Sequence, residues 1–451
     1  MSPGLLSRLK GRRLGLRQGE NPDKKENAAG MSKDHQGHNS VPITLAALSL
    51  LLSILAGCSG NPQQSTSVAA TTSGQQAPSL GPTSTASATI PSPPTGEPTA
   101  TLAPIPTAHP AERLAGSDEA PLELLVYSDF DCDLCAQVYS DLIAVIDRHP
   151  DRISYIFRPF PLLGVHANSA QATAAFIAAR DLGAGSAMHD WLFEHRLEWM
   201  DLEPADFRAW LLKQAPEMGL EADALAAAMA DPETLSAIEG AFQAAQASGI
   251  PGVPFLFING QSYLLEWSEE NLEASVRLAL LRQNQIDEPP EMTAPTELPT
   301  QAEFQFNLGT LEVQLYPRSA PQALSSFVYL SQQGWYRDTA LYQVLPGNLV
   351  MGGDPTNTGL GNAGYHFEVE IDPVRTFDQA GILALDNGGP ASNSSRYLIT
   401  LAPRPDLEGS YTVIGRVIDG MSWLQQLAAR DPLPDLLQPA EAILERIVFD
   451  Y

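Results

Sequence analysis

The stretch Leu122-Glu-Leu-Leu-Val-Tyr-Ser-Asp-Phe130, followed by Cys132-Asp-Leu-Cys135, decides how this chain of 451 residues is read. Residues 122–130 are a short run rich in apolar side chains, the pattern of a buried strand. Beyond the cysteines, Val138, Leu142, Ile143, Val145 and Ile146 recur at helical spacing over 136–149. The two cysteines therefore sit at a strand-to-helix junction. There the first meets the unpaired N–H groups and positive end of a helix, which favour thiolate. The second, one turn on, is placed to attack a mixed disulfide and release the product. Zinc sites also use paired cysteines. Here no second Cys pair exists, and His109, His166, His189 and His195 do not complete a ligand cluster at zinc-finger spacing. No metal and no cofactor is expected.

Outward from this point, Arg152–Phe157 reads as a second strand, and about 164–248 as successive helices, including Ala170–Arg180 and Leu235–Ala247. Then comes Gly249-Ile-Pro-Gly-Val253-Pro254, with a strand beginning directly at Pro254. Ser268 opens a capped helical pattern that runs to Leu281. Strand, CxxC, helix, helical insertion, Val-Pro strand and closing helix together resemble the DsbA-like branch of the thioredoxin superfamily, over nearly all of 115–285. The resemblance implies an α/β thioredoxin-like fold, with Cys132 attacking and Cys135 resolving. It implies that Val253-Pro254 is the cis-proline pair, whose backbone faces the disulfide and pairs with extended substrate. Asp129, three residues before Cys132, is either a solvated acid or an aid to proton transfer. Asp133 places negative charge beside the thiolate and is expected to raise its pKa. Oxidase, isomerase-like and reductase directions all stay open.

A second folded region follows. Residues 303–316 read as two alternating strands around a Leu-Gly turn, Ala320–Gln332 as a helix, and the remainder as short strands, Gly-rich turns and a helix near 420–429. Mostly-β with flanking helices suggests a closed barrel. Three ordered blocks stand out: Tyr342 to Asp354, Gly381 to Ile399 with Gly389 and Pro390, and Leu407 to Val417. They resemble the cyclophilin-type peptidyl-prolyl isomerases over about 302–449. The resemblance also shows where this sequence departs from the family. Gln343 stands at the catalytic arginine. Asn348, Leu349 and Met351 stand at the pocket phenylalanine, methionine and glutamine. Asp386 replaces the alanine lining the proline cleft, and Leu398 the aromatic floor. Asp406-Leu407 replaces the tryptophan-leucine pair, and Tyr411 the pocket histidine. Arg337 and Arg396 are the arginines that could reach in instead. Scaffold glycines persist while catalytic identities do not, so an inactive or very weak isomerase is expected.

The N-terminus reads as an export signal. Residues 41–57 are uncharged and apolar, shorter than a usual membrane span, and end in Leu55-Ala56-Gly57-Cys58. This resembles the lipobox of bacterial lipoproteins, which implies acylation of Cys58 after cleavage and a lipid anchor outside the cytoplasm. Met31 is a candidate true start. Residues 59–110 hold ten prolines and 18 Ser/Thr, too little apolar matter for a core, and read as a disordered tether. A Pro- and acid-rich linker is expected at 286–301. The expected plan is thus 1–58 signal peptide, 59–110 tether, 111–285 first domain, 286–301 linker and 302–451 second domain.

The formal net charge is −27. Residues 111–451 carry 48 Asp/Glu against 18 Arg/Lys, and Lys213 is their only lysine. Such a surface repels phosphate and argues against nucleic-acid binding. The expected function is protein folding outside the cytoplasm, with exported proteins or peptides as substrates and a membrane or extracytoplasmic redox partner. The rival is a non-enzymatic lipoprotein scaffold that docks peptides with both domains.

Overall fold

The computed structural model describes residues 113–387 and 392–451. The signal peptide, Cys58, the tether, Gly389 and Pro390 lie outside the described residues.

In the first domain, β1 (Arg113–Ala115), β2 (Leu122–Ser128), β3 (Ile153–Pro159), β4 (Phe255–Ile258) and β5 (Gln261–Ser262) make one sheet in the order β1-β3-β2-β4-β5. β2 and β3 are parallel, and β4 runs antiparallel to β2. β2 is almost continuously apolar because both of its faces are covered. Residue parity divides the cores. Leu124 and Val126 point to one side, with α1 (Asp133–Arg148), α2 (Ser169–Asp181) and α3 (Gly185–Glu194). Leu125 and Tyr127 point to the other, against Phe160, Phe257 and Ala245 of the helix Pro232–Ala247. α2 is buried without interruption from Ala172 to Ala179, which the five alanines of that stretch permit. The insertion continues through Arg196–Trp199 (α4), Pro204–Gln214 (α5), Ala222–Met229 (α6) and Pro232–Ala247 (α7). The closing helix, α8 (Glu269–Arg282), is capped by Ser268, whose side chain accepts from Asn271 N.

The second domain is a curled, nine-stranded antiparallel half-barrel. Its strands are β6 (Gln301–Phe306), β7 (Gly309–Leu315), β8 (Thr339–Ala340), β9 (Gln343–Leu345), β10 (Leu349–Gly352), β11 (Ile382–Asn387), β12 (Asn393–Thr400), β13 (Val413–Asp419) and β14 (Ile443–Asp450). Their order is β8-β14-β6-β7-β13-β11-β12-β10-β9. The expected closed barrel is therefore not closed by a ladder. Its end strands β8 and β9 are not neighbours in the ladder, although the chain runs directly from one to the other through Leu341 and Tyr342. Helix α9 (Pro321–Gln332) packs Ala323, Leu324, Phe327 and Leu330 into the main core.

The helix expected near 420–429 is a single turn, α10 (Met421–Leu424). Arg430 and Val344 exchange backbone hydrogen bonds of 3.0 and 3.1 Å, and this bridge draws the chain away from the helical path. The stretch expected to be a linker is docked. Ile286 N donates to Ala363 O, Thr293 N donates to Ser325 Oγ, and Leu298 is buried in the second core.

Candidate functional site

The helix bearing the cysteines begins at Asp133, with Cys132 as its N-cap in extended conformation. The Cys132 sulfur accepts from Cys135 N at 3.2 Å, so the thiol occupies the capping position that Ser or Asp usually fills. Both cysteines are free and buried. The Cys135 thiol bonds to the Cys132 sulfur and, with that backbone N–H, outweighs burial, lowering the Cys132 pKa to about 7. Burial pushes the Cys135 thiol far up, and the neighbouring Cys132 sulfur raises it further. One sulfur is thus readily ionised and its partner is not.

Asp133 does not act as expected. It is 83% exposed and bonds Arg196 Nη1 at 2.7 Å, so its charge is already paired. Arg196 also donates to Asp131 O at 2.8 Å, clamping the turn ahead of the helix. Asp129 is not solvated either: it is 1% exposed and hydrogen-bonded. The Val253–Pro254 peptide bond is cis. Tyr127 pairs with Phe255, so Pro254 lies just past this pair, at the end of β2 from which the chain continues to Cys132. Val253 packs against the core cluster that contains both cysteines. Leu134, between the cysteines, is 42% exposed. His166 and Arg196 were not singled out from sequence for this site. Their separation from the CxxC along the chain left no local signal.

In the second domain, one row crosses five strands: Gln343 opposite Met351, Met351 opposite Leu398, Leu398 opposite Ala384, and Ala384 opposite Val413. Directly paired residues share a face. This face is not that of the main core, which takes Val350, Leu383, Leu385, Tyr397 and Ile399. A separate apolar cluster forms here from Leu349, Leu398, Leu407 and Val413, with Met351 and Tyr411 against it. Asp386 and Arg396 have the same strand parity as Ala384 and Leu398, and they pair, Nε to Oδ2, at 3.0 Å. Burial raises the Asp386 pKa and Arg396 opposes it. A second Arg396 nitrogen donates to Gly359 O. Asn348 stands at the rim, where its side-chain oxygen accepts from Arg404, which also holds Asp406. Arg404 was not singled out from sequence. Five of the eight expected pocket positions thus share one apolar patch, and Gln343 joins it through the strand row.

The sequence has known relatives. The family pattern described as cyclophilin type peptidyl-prolyl cis-trans isomerase/CLD matches residues 301–441. Peptidyl-prolyl cis-trans isomerase-like 1 of Aspergillus niger is 40% identical over 131 residues, 28% of this chain and 81% of that protein. The chain belongs to the cyclophilin-type peptidyl-prolyl isomerase family. A further cyclophilin relative, peptidyl-prolyl cis-trans isomerase ppi1 of Schizosaccharomyces pombe, is 41% identical over 123 residues, 27% of this chain and 79% of the relative. The crystal structure of a cyclophilin from Cryptosporidium parvum shares 30% identity, covers 34% of this chain and 98% of its own, and gives a TM-score of 0.31. Outside the cyclophilin region, the pattern described as thioredoxin matches residues 108–277. The chain therefore joins a thioredoxin-like domain to a cyclophilin domain.

Proposed function

We propose that this chain is a lipid-anchored, extracytoplasmic protein-folding factor. Its first domain exchanges thiols and disulfides on exported proteins. Its cyclophilin domain holds prolyl segments of those clients and isomerises them little or not at all. The observation that carries the reading is the asymmetry of the two buried sulfurs at the helix N-cap. Cys132, with its pKa lowered to about 7, is the nucleophile, and Cys135 keeps its proton until it is needed.

The steps balance simply. The Cys132 thiolate attacks one sulfur of a client disulfide and expels the other as thiolate. Cys135 then gives up its proton, attacks the Cys132 sulfur, and releases the second client thiolate. The client gains two electrons and the Cys132–Cys135 pair loses them; run backwards, the same steps oxidise a dithiol. The partner's potential sets the direction.

Isomerisation requires rotation about a bond with a barrier of roughly 18–20 kcal/mol. A charged donor directed at the prolyl nitrogen would favour the twisted state, and hydrogen bonds from charged donors are roughly twice as strong as neutral ones. Gln343 is neutral, and Arg396 is committed to Asp386 and Gly359 O. That supports a holding role. The test is the reduction potential of the Cys132–Cys135 pair and insulin reduction by the full chain. Absence of both a defined potential and turnover would leave the scaffold reading in its place.

A further inference from the structure

Asp129 closes a turn directly ahead of the attacking sulfur. Its carbonyl accepts from Cys132 N at 3.3 Å and its Oδ1 from Asp131 N at 3.1 Å. Its other carboxylate oxygen, Oδ2, faces the loop between β3 and α2. Leu162 N at 3.0 Å, Ser169 Oγ at 3.0 Å and His166 Nδ1 at 2.9 Å all meet it there. Two neutral donors already satisfy that oxygen, so His166 is not needed to satisfy it. What His166 adds is a chargeable group. With Nδ1 against the carboxylate, the His166 side chain stays 26% accessible.

The other charges around the sulfur are accounted for. From α1 come Cys135 and Asp133; Asp133 is paired with Arg196 of α4. From the preceding turn comes Asp131, 3.9 Å from the same Arg196 and bonded to Asn168 N. The Gly252-Val253-Pro254 segment brings no titratable side chain. Asp129 and His166 are left as a pair that acts on Cys132 with opposite signs.

We infer that Asp129 and His166 form a charge dyad that tunes the thiolate population of Cys132 about the level its bonds to Cys135 provide, His166 raising it and Asp129 lowering it. The inference rests on the first domain being a thiol–disulfide oxidoreductase. His166 is then a positioning residue acting through Cys132. Its loss leaves a buried carboxylate uncompensated beside the nucleophile, which favours the thiol.

The experiment uses the full chain in a Cys58→Ser background and follows Cys132 by iodoacetamide alkylation and thiolate absorbance from pH 4 to 10. His166→Gln keeps a donor for Asp129 but removes the charge. The midpoint should rise, with alkylation at pH 6 slowed at least about threefold and the rate at pH 9 unchanged. Asp129→Asn should move the midpoint down. His166→Lys should restore most of the rate at pH 6. An unmoved midpoint in His166→Gln, or a shift of His166→Gln and Asp129→Asn in one direction, overturns the dyad. If Asp129→Asn does not fold, the contrast between Gln and Lys at position 166 decides alone, and equal profiles overturn it. Lack of insulin reduction in the parent chain would defeat the oxidoreductase reading, yet these midpoints would still report on the dyad.

Discussion

Replacing Cys135 by alanine removes the largest influence on Cys132. The fall of the Cys132 pKa from 9.0 to about 7 is worth about 3 kcal/mol of preference for the thiolate. The Cys135 thiol contributes most, ahead of the Cys135 backbone N–H, which survives the substitution. If the side chain supplies about half, the Cys135→Ala midpoint moves to about 8, and alkylation at pH 6 slows about tenfold. Cys135→Ser retains an O–H donor and should fall between wild type and alanine. The assay is the pH profile of iodoacetamide alkylation in full chains carrying Cys58→Ser, with only Cys132 reactive. A midpoint still near 7 in Cys135→Ala would refute the reasoning, because the backbone and helix terminus would then account for the whole effect.

Cys135→Ala should also accumulate mixed disulfides through Cys132, detectable as reductant-sensitive adducts on non-reducing gels, while Cys132→Ala forms none. Cys58→Ser should release the protein from membranes and abolish its acyl mass; unchanged membrane retention would contradict a lipid anchor. Glu273 offers a pH test of stability. Its burial alone would raise the pKa, but bonds from His149 and Arg277 win and hold it at about 2. Because the folded value lies below the unfolded one, this stabilisation is present above about pH 4.5 and lost as pH falls towards 2. Glu273→Gln should flatten that part of the acid unfolding curve and cost about 3 kcal/mol at pH 7, read by urea denaturation. The full chain should barely accelerate isomerisation of a short X–Pro peptide, and Gln343→Arg alone should restore little, since the Asp386–Arg396 pair stays in the pocket. Robust, pocket-inhibitor-sensitive turnover in the unmodified chain would overturn that view.

What could be read from sequence was local. The strand before the CxxC, the Ser268 cap and the Val253-Pro254 turn are each written within a few residues. The apolar rhythm of α1 begins only at Val138, yet the junction reading already places Cys132 at the helix N-terminus, and Cys132 is its N-cap. The helix read from Leu235 starts at Pro232, behind an Asp231 cap that apolar spacing does not reveal. The site electrostatics were beyond such reading. Asp133 was expected to burden the thiolate, but Arg196, distant in sequence, neutralises it. Asp386 was read as a carboxylate intruding on the cleft. Its pairing with Arg396 depends on how β11 and β12 align across a bulge, and only the fold supplies that register.

The outermost strands of the two sheets bear on how this chain can associate with other chains. β1 and β9 have three residues each, and β5 and β8 have two. An exposed sheet rim is a template on which another chain can add itself as one more strand. These end strands offer only a bond or two, but beyond Leu444 the strand β14 pairs with β6 alone among the described residues, so Arg446–Asp450 form a longer open edge. Strand addition by a second copy of this chain is thereby narrowed to that one edge of β14.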